Sequence, residues 1–270
     1  MQLLRCSFTR CHLLALCLAL ALSACATFEP LSDSNDGHAG APPLSGSGEV
    51  IEIGRFTSKR VGAPLPAYWK PYIIHPSKPL TQYSVVNTDC GAALQAVANA
   101  SASGLYRTTR IDVQQHPLLA WRWRVDNDVE GADKRSASRE DSPARLILTF
   151  HGDPANLDVG ARAKLRLIRA ITGRDLPYAT LMYVWSNTEA VETILPNPHT
   201  DRIQMIVVSQ GADTIGRWQV FERNVLEDFR RAFGEDPGQV LTVGVMSDAD
   251  NTGDDAHALY GDIAFMKSAQ

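Results

Sequence analysis

The chain has 270 residues, 44% hydrophobic and 21% charged, with a formal net charge of −4. That apolar content is enough for a packed core and excludes a chain that stays disordered. The mild acidity argues against nucleic acid as a partner, because phosphate binding needs a basic face.

The first predicted element is an export signal at residues 1–24. Arg5 and Arg10 make its start positive, no Asp or Glu interrupts it, and Leu13–Leu22 reads LLALCLALAL. A run of about ten residues is too short to cross a hydrocarbon layer of roughly 30 Å as a helix, and fits the apolar stretch of a signal peptide. It ends in Leu22-Ser23-Ala24-Cys25, which resembles the lipobox cut by bacterial lipoprotein signal peptidase. Cys25 is therefore the expected lipidation site. Ala26, rather than Asp, follows it, and by the same resemblance this favours the outer membrane, with the protein lipid-anchored and facing the periplasm. Loss of Arg5 and Arg10 would take the formal charge from −4 to −6.

Residues 25–48 hold the lipidated cysteine and a Ser-, Gly-, Pro- and Asp-rich stretch, the composition of a flexible tether. Processing would remove Cys6, Cys11 and Cys17 and acylate Cys25, leaving Cys90 as a lone thiol with no internal disulfide partner. Asp89 beside it would raise a thiol pKa, so Cys90 is expected to be structural.

Residues 49–270 read as a single β domain. Short runs rich in β-branched and aromatic residues predict strands near 49–56, 81–87, 92–98, 104–113, 118–126, 143–151, 179–187, 190–195, 202–209, 216–223, 239–247 and 257–266. In Leu119-Ala120-Trp121-Arg122-Trp123-Arg124-Val125 the tryptophans fall on one face and the arginines on the other. Two helices interrupt the strands. Leu157, Ala161, Leu165, Ile168 and Ile171 make one apolar stripe, closed by Gly173; Asn224, Glu227, Phe229, Phe233 and Gly234 mark a second, shorter helix with both caps. Many strands and few helices predict a β-sandwich of the jelly-roll type, with the helices as insertions.

Several segments together resemble the bacterial domain of unknown function 3047. They are Ala102-Ser103-Gly104-Leu105-Tyr106-Arg107, the Leu119–Val125 strand, Tyr183-Val184-Trp185, Asn197-Pro198-His199-Thr200-Asp201-Arg202, Asp248-Ala249-Asp250-Asn251-Thr252-Gly253 and Tyr260-Gly261-Asp262-Ile263. The resemblance implies a periplasm-facing sandwich similar to galactose-binding-like folds, and supplies no reaction.

The residues themselves offer three chemistries. The sequence has no G-x-S-x-G, H-E-x-x-H, C-x-x-C or P-loop, and His38, His75, His116, His151, His199 and His257 are scattered. Asp126, Asp141, Asp201 and Asp262 are the carboxylates from which a hydrolase pair would have to come. Asp248, Asp250, Thr252 and Asp254 place oxygens at alternate positions before and after Gly253, a candidate structural Ca²⁺ loop whose alternative is a polar hairpin turn. Arg122, Arg124, Trp185, Asp201 and Arg202 are the candidate ligand-binding residues, because guanidiniums and aromatic faces suit anionic or polyhydroxylated ligands. The expected function is a lipid-anchored envelope protein whose sandwich is a non-catalytic binding module for a polar or carbohydrate ligand such as an envelope glycan. The alternatives are an envelope hydrolase with a paired-carboxylate site and a structural or assembly lipoprotein that binds another protein.

Overall fold

The computed structural model describes residues 50–65, 68–172 and 176–268. The expected signal, Cys25, the tether and Gly173 lie outside them. Thirteen strands run in chain order: β1 (Val50–Gly54), β2 (Lys70–Ile73), β3 (Gln82–Thr88), β4 (Gly91–Asn99), β5 (Ala102–Ile111), β6 (Leu118–Val125), β7 (Ser142–Phe150), β8 (Ala179–Ser186), β9 (Ile194–Asn197), β10 (Thr200–Gln210), β11 (Gln219–Asn224), β12 (Val240–Asp248) and β13 (Asp255–Met266). Helix α1 (Val159–Thr172) separates β7 from β8, and α2 (Val225–Phe233) separates β11 from β12. Among the described residues no helix is long and apolar enough to cross a membrane.

The strands form two sheets. Sheet I has the order β11-β6-β13-β4-β3, with β1 added along the end of β13. Sheet II has the order β2-β5-β12-β7-β8-β10-β9, and its β8–β10 pair is parallel while its other neighbours are antiparallel. The protein is thus mainly β, a jelly-roll-type sandwich with two inserted helices.

The core lies between the inner faces, where period-two alternation delivers one side chain in two. Trp121 and Trp123 of β6 are buried there, with Phe221 of β11 stacked on Trp121 at 4.9 Å. Tyr183 of β8 meets Trp121 from the opposite sheet at 4.9 Å between ring centroids. Helix α2 closes one border of this core through Phe229, whose ring lies 4.6 Å from Phe150. The Asn224 side chain accepts from the Glu227 amide at 3.2 Å, and Gly234 ends the helix at φ 71°, a left-handed cap suited to glycine.

Cys90 departs from its expected state as a lone thiol: it is disulfide-bonded here.

Candidate functional site

The outer face of sheet II follows from the strand registers. Leu105, Leu146, Leu148, Val243 and Val245 point into the core, so Gly104, Tyr106, Thr108, Arg145, Ile147, Thr149, Thr242, Gly244, Met246 and Asp248 occupy the other face. Three cross-strand rows result. Thr108, Thr242, Thr149 and Thr180 stand side by side on β5, β12, β7 and β8. The Thr149 and Thr242 hydroxyls are 2.7 Å apart, and the row runs from exposed Thr108 to buried Thr180.

The next row places Gly244 between Tyr106 and Ile147, and the one after it places Gly104 between Tyr72 and Met246. Neither glycine has room for a side chain. A Cβ at Gly104 would lie 2.6 Å from the Val245 carbonyl oxygen, and one at Gly244 would lie 2.8 Å from that of Leu105. Tyr72 and Tyr106 flank these glycines, and their rings meet edge to face at 6.4 Å. Tyr72 is 41% exposed.

The far end of this face is a buried charge cluster. Arg145 of β7 donates from Nε and Nη2 to the two carboxylate oxygens of Asp248, at 2.9 and 3.0 Å, and from Nη1 to Glu140 at 2.6 Å. Asn197 holds the second Glu140 oxygen at 2.9 Å. Asp141 accepts from the amide and side chain of Asn251 on one oxygen and from the amide and hydroxyl of Thr252 on the other. Lys134, fully buried, donates to the Asp141 carbonyl, and Lys78 pairs with Asp250 at the rim. Burial pushes the Asp248 carboxyl up to about 6, with Glu140 and Asp141 adding to the rise and Arg145 opposing it. Burial, helped by Arg145, brings Lys134 down to about 8.

The carboxylates of Asp141, Asp248 and Asp250 each bring an oxygen within 4.8 Å of the others. A Ca²⁺ site would need six to eight oxygen ligands, and in this structure several of the oxygens serve protein donors. Asp141 already takes four hydrogen bonds, Asp248 is held by Arg145, and Asp250 faces Lys78. Thr252 serves Asp141 as a donor, and Asp254 accepts from the Glu130 amide at 2.7 Å. Asp141 takes two hydrogen bonds on each oxygen, whereas Asp248 takes two on Oδ1 and one on Oδ2.

The five candidate ligand-binding residues are not brought together. Trp185 is 1% exposed in the core, its indole N–H donating to Thr214 at 2.8 Å, so it presents no face to solvent. Arg202 donates to the Tyr178 carbonyl and to Glu235 and lies over the Tyr178 ring at 4.4 Å, while Asp201 beside it is exposed. Arg122 and Arg124 lie on the outer face of sheet I. Of the residues described above, sequence reasoning passed over Tyr72, Thr108, Thr149, Thr242, Lys134, Glu140 and Arg145. The signal available was alternation: a Thr or Arg flanked by apolar residues, as Arg145 is by Ala144 and Leu146 and Thr149 by Leu148 and Phe150, faces away from the core.

The class of protein defined so far is a two-sheet β-sandwich with one open, hydroxyl-bearing face. The chain belongs to the family described as protein of unknown function DUF3047, whose model matches residues 67–264. No curated protein matches it. Among solved structures it is similar in fold to CtCBM11, at 8% identity and TM-score 0.38, covering 84% of this chain and 100% of that one. It is also similar to the carbohydrate recognition domain of Emp47p, at 11% identity and TM-score 0.41, covering 83% and 100%. A third likeness is to the glycoside hydrolase domain of Endo-D from Streptococcus pneumoniae R6, at 7% identity and TM-score 0.33. That match covers 75% of this chain and 22% of the other, so the chain spans about a fifth of that protein's length. These likenesses concern the fold alone.

Proposed function

We propose that the protein is a lipid-anchored, non-catalytic binding module that holds a polyhydroxylated ligand, an envelope glycan, on the open face of sheet II. The observation that supports this reading is the row of threonine hydroxyls beside the Tyr72–Tyr106 pair. Hydroxyls that both donate and accept match sugar hydroxyls, and aromatic rings supply an apolar surface with a polar edge. Adjacent strands are about 4.8 Å apart, so the row offers evenly spaced partners to an extended chain. Anchoring through Cys25, at the outer membrane and facing the periplasm, belongs to the same proposal and rests on the lipobox resemblance.

The test is retention on purified peptidoglycan and lipopolysaccharide, with calorimetry on soluble fragments. Thr108→Val with Tyr72→Ala should reduce retention at least tenfold while leaving the urea midpoint nearly unchanged, because Thr108 and Tyr72 are exposed. Unchanged retention in a folded double variant would remove the face from the function.

A further inference from the structure

On the outer face of sheet I, Arg122 is only 9% exposed. Its stem lies flat across β13 at Gly261, where a Cβ would come within 2.4 Å of Arg122 Cγ and Nε. Trp218, which leads into β11, covers it: the guanidinium lies 4.8 Å from the centroid of the Trp218 ring. One hydrogen bond is made, from Nη2 to the Cys90 carbonyl at 2.8 Å. Among the described residues no carboxylate pairs with Arg122. Two nearby acids are committed elsewhere, Asp126 to Arg124 at 2.6 Å and Asp262 to the Thr57 amide at 2.9 Å. Arg122 Nε and Nη1 make no hydrogen bond, and neither is among the sealed, unpartnered side-chain atoms, so both keep some contact with solvent.

A guanidinium so far withdrawn from water ordinarily has an anion beside it, since burying an uncompensated charge is costly. The ring face of Trp218 offsets part of that cost, and one carbonyl offsets a further part. Arg124, paired with Asp126, stands at the border 6.0 Å from the same ring. We propose that Arg122, Trp218 and Arg124 form a second binding site, which takes a carboxylate or phosphate group of an anionic ligand. The Arg122 N–H groups left over by Cys90 would donate to the oxyanion, and the indole would flank the group that carries it. This site lies on the sheet opposite the threonine row, so it stands or falls separately from the proposed glycan face.

The experiment is isothermal titration of the full domain at low ionic strength with glucuronate, inorganic phosphate and, as the neutral control, glucose. Binding of both anions and not of glucose is expected, weakening as salt rises. Preference for glucuronate would assign the site to an acidic sugar, and preference for phosphate to a phosphorylated group. Arg122→Lys, which keeps the charge but loses the planar fork, should weaken binding about tenfold, and Arg122→Met should abolish it. Arg124→Gln, at a more exposed position, should weaken it severalfold; this variant serves if Arg122→Met does not fold. Thr108→Val with Tyr72→Ala should leave anion binding unchanged. Failure of the folded wild-type protein to bind either anion, or equal affinity in Arg122→Lys and Arg124→Gln, would overturn the proposal.

Discussion

Asp248→Asn and Lys134→Met should flatten opposite arms of the stability–pH profile. In the folded protein Asp248 sits at about 6 against an ordinary 3.8, because it is buried and has Glu140 and Asp141 beside it. A carboxyl whose folded pKa is raised holds its proton more tightly folded than unfolded. Its charged form therefore costs stability above pH 6, and that stability returns as pH falls through 6 toward 3.8. A rise of about two pH units, net of the pull of Arg145, at about 1.4 kcal/mol each sets an upper value near 3 kcal/mol, and we expect about 1–3 kcal/mol. Lys134 has the reverse sign. Its folded pKa is lowered from 10.5 to about 8, so its contribution is restored as pH rises through 8 toward 10.5. The cluster should thus cost most between pH 6 and 8. Urea denaturation at closely spaced pH values from 4 to 10.5 measures this, reading each variant against wild type so that the other carboxylates cancel. Wild type should gain on Asp248→Asn from pH 7 to 4, and on Lys134→Met from pH 8 to 10.5. If wild type instead loses ground to Asp248→Asn on acidification, the Arg145 pair outweighs burial and the reasoning is wrong.

Trp123→Ala should destabilise by about 3–5 kcal/mol in urea, the range for truncating a buried tryptophan, since Trp123 is fully buried against Trp121 and Phe221. Millimolar Ca²⁺ should leave the melting midpoint unchanged, because the Asp141, Asp248 and Asp250 oxygens already serve protein donors; a rise of several degrees would mean a site that binds the native state. Cys25→Ser should block signal-peptidase cleavage and palmitate labelling of the precursor, and normal maturation of that variant would end the lipoprotein proposal.

Alternation carried most of the fold. The β6 strand and both caps of α2 lie where the pattern of the residues puts them. What the pattern did not carry has local causes. Strand β2 was not anticipated because it has four residues, one of them Pro71, which is tolerated only at a sheet edge. The strand expected at 190–195 begins at Ile194 instead, since Glu192 sits at φ 70° and breaks the extended run. Leu157, placed in the first helix by its stripe, ends a short 3₁₀ turn at Pro154–Asn156, and Asp158 supplies the α1 cap by accepting from the Ala161 amide at 2.9 Å. In the site, Asp248 and Asp250 were legible as a pair, but the cations that neutralise them were not. Arg145 is 103 residues from Asp248 in sequence, and only the β7–β12 pairing brings them together. For Arg122 the alternation gave the correct face. The burial of that face depends on Trp218 and on the missing side chain at Gly261, neither of which lies on its own strand.

The two ends of the sheet II face are built on opposite terms, and the contrast bears on what the charge cluster is for. Replacing a buried ion network by well-packed apolar residues is often neutral or stabilising, so added stability does not account for Lys134, Glu140, Arg145 and Asp248. Apolar packing is non-directional, whereas charge-assisted hydrogen bonds from a planar guanidinium fix both distance and angle. Through those bonds Arg145 ties together three separate pieces of chain. Glu140 belongs to the segment entering β7, Asp248 to the end of β12, and Asn197, through Glu140, to the end of β9. Asp141 fixes a fourth, the Asn251–Thr252 turn between β12 and β13. A loosely packed apolar plug would fill this space without holding those segments in one arrangement. Held rigidly, they bound the open face at one end, while at the other end the threonine row runs out to exposed Thr108. A ligand lying on that row would therefore meet a fixed limit where the Tyr72–Tyr106 pair gives way to the Arg145 cluster.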